Sequence, residues 1–310
     1  MKGNGKRFLF LFVCILLIVA SFPITASADT GPKPSVHVTF VNMGDELCYG
    51  TLLSEKPSTG PYSVLDGDDD ERYYLDRLED LGMDKDLWRA FTEYEDPDGY
   101  YFLQEAIWKV NETKELAWTY YPPNRFKILL YYPETERFAV SGIYERYAFD
   151  TYYTVDMSGV DIGLVDYNEE LSNSDRLQAH KSYQWQQEML SLVARILITI
   201  IIEMGIALLF GFRGKRKFLL LVIVNTATQI VLNVLLNLIN FRSGSWAFIA
   251  GYILFELAVF IVEAGLYSVL MKKITDNPKP TWFYIVYALI ANAVSFGAGM
   301  AVANLLPGIF

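Results

Sequence analysis

The sequence predicts a membrane protein in two parts. An exported all-β domain, an immunoglobulin-like β-sandwich with a helical insertion, precedes a four-helix transmembrane bundle. Three observations predict it: an export signal at the start, a sharp division of charge along the chain, and four long apolar runs after the acidic half. The resulting boundaries are 1–28 for a signal peptide, 29–158 for the exported domain, 159–189 for a juxtamembrane linker and 190–310 for the transmembrane domain.

The signal is "MKGNGKRFLFLFVCILLIVASFPITASADT". Basic Lys2, Lys6 and Arg7 precede an apolar stretch from Phe8, and Ala26-Ser27-Ala28 forms a small-residue site before Asp29. That is the pattern of a cleavable secretory signal rather than of a spanning anchor. Cys14 has no small-residue lipobox before it, so no lipid anchor is expected. Cleavage leaves Cys48 as the single cysteine, and one thiol forms no internal disulfide. The exported domain must be held by its own core.

Residues 29–187 carry 31 Asp and Glu against 14 Lys and Arg, a net charge of −17, and the remainder of the chain is basic. An acidic soluble surface and basic membrane loops account for the split. Nucleic acid is excluded as a partner by the same charge. Expected partners are membrane lipid and a second copy of the chain or another membrane protein, with the ligand of the exported domain unknown.

Within that domain "PSVHVTFVN" (Pro34–Asn42) alternates as a strand, and "LCYGTLLS" (Leu47–Ser54) is expected to return beside it. "FKILLYY" and "RFAVSGIY" flank "PETE" as a hairpin, and Tyr144–Met157 is rich in strand-forming aromatics and Thr. "ERYYLDRLEDLGMDKDLWRAFTEYE" has helical periodicity. Asp66, Asp68 and Asp70 mimic the start of a calcium loop, but Glu71 replaces the turn glycine and Arg77 the final glutamate, so a solvated loop is the reading.

The apolar runs are Leu190–Phe212, Phe218–Ile239, Trp246–Met271 and Trp282–Leu306. Each exceeds the ~20 residues that cross a bilayer. Basic residues fill the first inter-span loop (Arg213, Lys215, Arg216, Lys217) and the third (Lys272, Lys273, Lys279), while the middle one has Arg242 alone. Positive loops stay in the cytoplasm. The expected topology is multi-pass in the cell membrane, with loops 213–217 and 272–281 cytoplasmic and residues 29–189 and the C-terminus extracytoplasmic. Ala291, Ser295, Gly299 and Ala303 form a small stripe that lets another helix approach.

Carboxylates are costly inside a bilayer, so those within the runs need a reason. At ~1.5 Å of rise per residue, Glu203, Gln229, Glu263 and Asn292 fall at about 12–17 Å from the cytoplasmic end, one from each run. A second layer holds Arg195, Asn233 and Glu256 at about 22–25 Å. The first four are the candidate intramembrane polar site, and Arg195 with Glu256 the candidate ion pair. Glu263 has no Lys, Arg or His at its level. Its charge must be removed by a proton, balanced by a cation, or stabilised by amide donors such as Gln229 and Asn292.

Enzymatic chemistry finds little support. His37 and His180 both lie outside the runs, and there is no H-E-x-x-H motif, P-loop or dinucleotide fingerprint. No catalytic residue, metal site or cofactor is expected; an acid protease using Glu203 and Glu263 is the remote alternative.

The segments "TLLSEKPSTGPYS", "YYPPNRFKILLYYPETERFAVSGIYERYAF", "IEMGIALLFGF", "NTATQIVLNVLLN", "ELAVFIVEAGLYS" and "ANAVSFGAG" resemble a group of uncharacterised polytopic membrane proteins of Clostridia-type Firmicutes, over nearly the whole mature chain. The resemblance implies a bacterial cell-membrane setting and transfers no functional residue. The expected function is a non-enzymatic sensor or accessory protein. The alternative is a transporter or channel component with an intramembrane proton or cation site.

Overall fold

The computed structural model describes residues 32–64, 84–104, 107–160, 177–183 and 185–305. The signal peptide, the Asp66–Glu71 loop and the first half of the expected helical insertion lie outside these residues.

The N-terminal region is β-rich. Twelve strands are described: β1 Ser35–Val41, β2 Tyr49–Ser54, β3 Ser58–Thr59, β4 Tyr62–Ser63, β5 Tyr101–Phe102, β6 Trp108–Lys109, β7 Glu115–Trp118, β8 Arg125–Tyr132, β9 Arg137–Val140, β10 Tyr144–Glu145, β11 Asp150–Asp156 and β12 Ala179–Lys181. Two short helices, α1 Lys85–Glu93 and α2 Val110–Thr113, interrupt them. One sheet has the order β12-β11-β1-β7; the other runs β10-β8-β2-β5, with β6 on β2 and β9 on β8. Their apolar faces share a core of Val36, Val38, Leu52, Phe126, Ile128, Leu130, Tyr153 and Val155.

The even residues of β8 enter that core, while Leu129 and Tyr131 face the other way onto Leu87, Trp88 and Phe91 of α1. Alternation along a strand thus fills two cores at once, which is why the 128–132 stretch of β8 reads as an unbroken apolar run. Asp84 caps α1 by accepting from the backbone N–H groups of Asp86 and Leu87.

One expectation is corrected. β1 and β2 do not form a hairpin: β1 pairs parallel with β11 and antiparallel with β7, while β2 pairs with β8. Five of the six residues of β2 are buried, so it sits where both faces are covered. The expected linker also contributes structure, because β12 adds an edge strand to the first sheet. The "PETE" hairpin is present as β8–β9, joined from Tyr132 to Arg137.

Three long apolar helices follow: α3 Trp185–Leu209, α4 Lys215–Lys273 and α5 Thr281–Leu305. Each is long and apolar enough to cross a membrane. Among the described residues, every exposed large apolar side chain except Val41, Tyr101 and Ile143 lies between Trp185 and Val294. Such a surface suits lipid rather than water. Helix α3 ends where Gly211 adopts φ 76° and the Phe212 N–H reaches back to the Ala207 carbonyl, a glycine-stopped terminus.

Helix α4 is not straight. Gly244 has φ 77° and ψ −176°, a conformation that glycine alone adopts readily. The Thr228 hydroxyl meets Glu263 at 2.6 Å and the Asn225 amide meets Tyr267 at 3.1 Å. A straight helix would hold Thr228 and Glu263 about 52 Å apart. The two arms therefore fold back on one another at Gly244, and Leu232 and Leu236 of the first pack with Val259 of the second.

The β-rich region rests on that bend. The Phe149 N–H donates to the Phe241 carbonyl at 2.8 Å, and the rings of Tyr147 and Tyr183 lie against Phe241. A Cβ at Gly244 would lie 2.5 Å from the Phe149 ring.

Candidate functional site

Buried polar residues run through the middle of the helical region. Apolar cores close both ends. Toward the basic loops, Ile206, Ala207, Phe212, Leu221, Tyr267, Tyr284 and Tyr287 pack together. Toward the bend, Leu232, Leu236 and Val259 do the same.

Glu263 is fully buried, and both its oxygens have donors. Oε1 accepts from the Thr228 hydroxyl at 2.6 Å and Oε2 from Asn292 Nδ2 at 2.7 Å. Of the ways sequence allowed for accommodating its charge, the geometry offers side-chain donors. Gln229 Oε1 instead accepts from Asn233 Nδ2 at 3.3 Å.

Arg195 donates from Nη1 to Asn233 Oδ1 at 3.2 Å, and its guanidinium lies 5.5 Å from the Phe248 ring centre. Arg195 and Glu256 line one small cavity with Thr199, Gln229, Asn233 and Tyr252. Its volume of about 10 Å³ is close to the space one water needs. Glu256 Oε2 is buried with no hydrogen-bond partner among the described residues, so a water there would have a polar group to serve. Gly299 and Ser295 of the small stripe line the same cavity.

Glu203 differs from both. Only 1% of it is exposed, and neither carboxyl oxygen has a hydrogen-bond partner among the described residues. Helix α3 carries it on the face that also buries Thr199, Ile206 and Ala207. The Tyr287 hydroxyl donates to its backbone carbonyl at 3.3 Å rather than to its carboxyl.

Sequence reasoning passed over Asn225, Thr228 and Tyr267. Asn225 Nδ2 donates to the Leu221 carbonyl and to the Tyr267 hydroxyl, both at 3.1 Å. The missed signal was spacing. Asn225 and Thr228 lie seven and four residues from Leu232, on the buried side of the first arm. Among the described residues no group of three or more His, Cys, Asp or Glu could hold a metal ion.

In the β-rich region the polar centre is an ion pair. Lys127 is 1% exposed, and its Nζ lies 2.8 Å from Oδ1 of the fully buried Asp96; Asp98 is its second partner. Asp96 also accepts from the N–H groups of Asp98 and Tyr100. Beside it a groove of about 460 Å³ is walled by Tyr94, Tyr100, Tyr101 and Phe102. Cys48 is buried without a disulfide, and burial pushes its thiol up to about 12.

Comparison with protein-family models, with curated proteins and with solved structures finds no match.

Proposed function

We propose that this chain is a bacterial cell-membrane protein of the sensor or accessory class, without enzymatic activity. An extracytoplasmic domain, built as an immunoglobulin-like β-sandwich, binds a ligand or envelope partner and passes its state to a four-span bundle. The two arms of α4 are read as separate spans, so α3, both arms and α5 make four.

The observation that carries this reading is the seat of Phe149 on the bend at Gly244. Short links strengthen it, since β12 ends at Lys181 and α3 begins at Trp185. A change in the β domain therefore has two rigid routes into the helices. The charge pattern supports the same arrangement. The bend that meets the β domain carries Arg242, whereas the loops at the other end of the helices hold the basic clusters. Reaction chemistry has no comparable support among the described residues.

Two measurements test this. A cysteine at Ser243 should react with an impermeant thiol reagent in intact cells while one at Lys215 resists; the reverse pattern overturns the topology. In detergent, the β and helical regions should unfold in one transition, and Gly244→Leu, which strains the bend and displaces Phe149, should split it into two. Independent melting of the unaltered protein would sink the coupling.

A further inference from the structure

The contact between the β-rich region and the helices is basic, against the composition around it. A hollow of about 280 Å³ lies in that contact, lined by Arg146, Tyr147, Phe149, Phe241 and Arg242. A second, of about 260 Å³, is lined by Glu55, Lys56, Tyr121 and Arg125. The two share Pro34, Asn124 and Arg146, so they adjoin. Lys56, Arg125, Arg146 and Arg242 thus stand against one carboxylate, Glu55, and that carboxylate is held by Arg125. Yet residues 29–187 as a whole carry a net charge of −17.

Arg146 is the group in need of a partner. Its backbone N–H donates to the Asn124 carbonyl at 2.9 Å, which fixes its place beside the start of β8. Its Nη2 reaches Asn124 Oδ1 only at 3.5 Å, a long contact. Its Nε is buried with no hydrogen-bond partner among the described residues. Neither Arg146 nor Arg242 has a carboxylate partner among those residues. Burial pulls the Arg146 guanidinium down from its usual range, and no neighbouring negative charge offsets it. A buried donor without an acceptor is costly, so an anion from outside the chain would complete this shell. The membrane supplies one at this level. Trp185 and Trp246 are 61% and 62% exposed where α3 begins and where the second arm of α4 leaves the bend. Indole rings so placed mark the headgroup layer. Exposed apolar side chains start at once along the helices, at Leu190, Val193, Leu238 and Ile249.

We propose that Arg146 and Arg242 form a binding site for the phosphate of an anionic phospholipid headgroup. A guanidinium presents a planar fork of N–H donors, and a phosphodiester presents two unesterified oxygens that such a fork matches. The acyl chains would lie along the exposed apolar faces of the helices. A zwitterionic headgroup fits less well, because it brings an ammonium to a surface whose one carboxylate is already held. Inorganic phosphate shares the headgroup chemistry but has no chains to lay on the helices. The inference rests on the membrane-spanning reading of the helices. It does not rest on the sensor role or on which side of the membrane the bend faces.

The test is thermal unfolding of the full chain in neutral detergent at fixed pH and ionic strength. Phosphatidylglycerol, phosphatidylcholine with the same acyl chains, or inorganic phosphate is added. Phosphatidylglycerol should raise the midpoint by several degrees in a saturating manner, since a ligand of the folded state alone stabilises by mass action. Phosphatidylcholine should not. Arg146→Gln and Arg242→Gln should each raise the half-saturating phosphatidylglycerol concentration about tenfold or more, the loss of one charge-assisted pair. Arg242 is exposed, so its variant carries the test if Arg146→Gln lowers the midpoint in phosphatidylcholine. Arg216→Gln with Lys217→Gln, in the basic loop at the other end of the helices, should leave that concentration unchanged. Equal midpoints in the two lipids overturn the proposal. So does a phosphatidylglycerol response that survives both arginine changes, and so does one that inorganic phosphate reproduces in full, which would make this an anion site without lipid. Reversed thiol labelling at Ser243 and Lys215 would overturn the topology and leave this site standing, whereas a chain that stays folded and dispersed without detergent would overturn the membrane reading itself.

Discussion

The β domain buries Lys127 beside Asp96 and Tyr100, and the helical region buries Glu203 on α3; each is 1% exposed. Lys127 is enclosed by two carboxylates, one of which is itself held by two backbone N–H groups. Glu203 is just as buried, and neither of its carboxyl oxygens has a hydrogen-bond partner of good geometry among the described residues. One buried ionisable group has a full shell of charged and backbone partners, and the other has none at its carboxyl oxygens among the described residues. Burial of an ionisable group therefore says little alone; the completeness of its shell separates a structural charge from a candidate site.

The largest expected effect breaks the finished side. Lys127→Met should destabilise the β domain by about 3–5 kcal/mol, because it strands the buried Asp96 carboxylate. Denaturant unfolding followed by tryptophan fluorescence reads it. A loss below about 1 kcal/mol would mean that the pair is solvated in solution.

A smaller effect tests the intermediate case, Glu263, whose shell is complete but uncharged. Glu263→Ala should lose about 1–3 kcal/mol by leaving Thr228 and Asn292 without their acceptor, while Glu263→Gln keeps an acceptor and stays near the unaltered stability. If Gln is as damaging as Ala, or folds normally but abolishes ion flux in proteoliposomes, Glu263 belongs with Glu203.

The smallest effect concerns Cys48. Its thiol is raised from 9.0 to about 12 by burial. The folded protein keeps this proton where an unfolded chain would release it, so the contribution is fully present below about 9 and is lost as pH rises toward about 12. The slope is at most about 1.4 kcal/mol per pH unit. Comparison of Cys48→Ala with the unaltered protein at pH 8 and 10 should show the stability difference shrinking. The native thiol should also resist alkylation at pH 8, keeping the background clean for cysteine labelling of the loops.

Much of this was legible in the sequence. The long apolar helices stood out because length and composition alone mark them, and the β8–β9 hairpin because "PETE" separates two apolar strands. The depth argument placed Glu203, Glu263 and Asn292 in one layer, and all three are buried. Strand order was not legible. β2 and β8 are buried on both faces, so periodicity could not say which sheet each joins. Nor was the difference between Glu203 and Glu263. It depends on which helix faces Thr228 and on which way three amides point, and counting charges by depth registers neither.

The bend at Gly244 has a consequence for modularity. Membrane and soluble domains often recombine as separate pieces, joined by linkers that tolerate exchange. Here Phe149 fits against a residue with no side chain, and its backbone N–H is bonded to the turn it covers. A β domain grafted at 182–184 onto another bundle would bring Phe149 and Tyr147 with nothing shaped to receive them. A bundle given another domain would present Phe241 to water. Exchange of either half alone would leave this contact unfilled, so the two are best moved together.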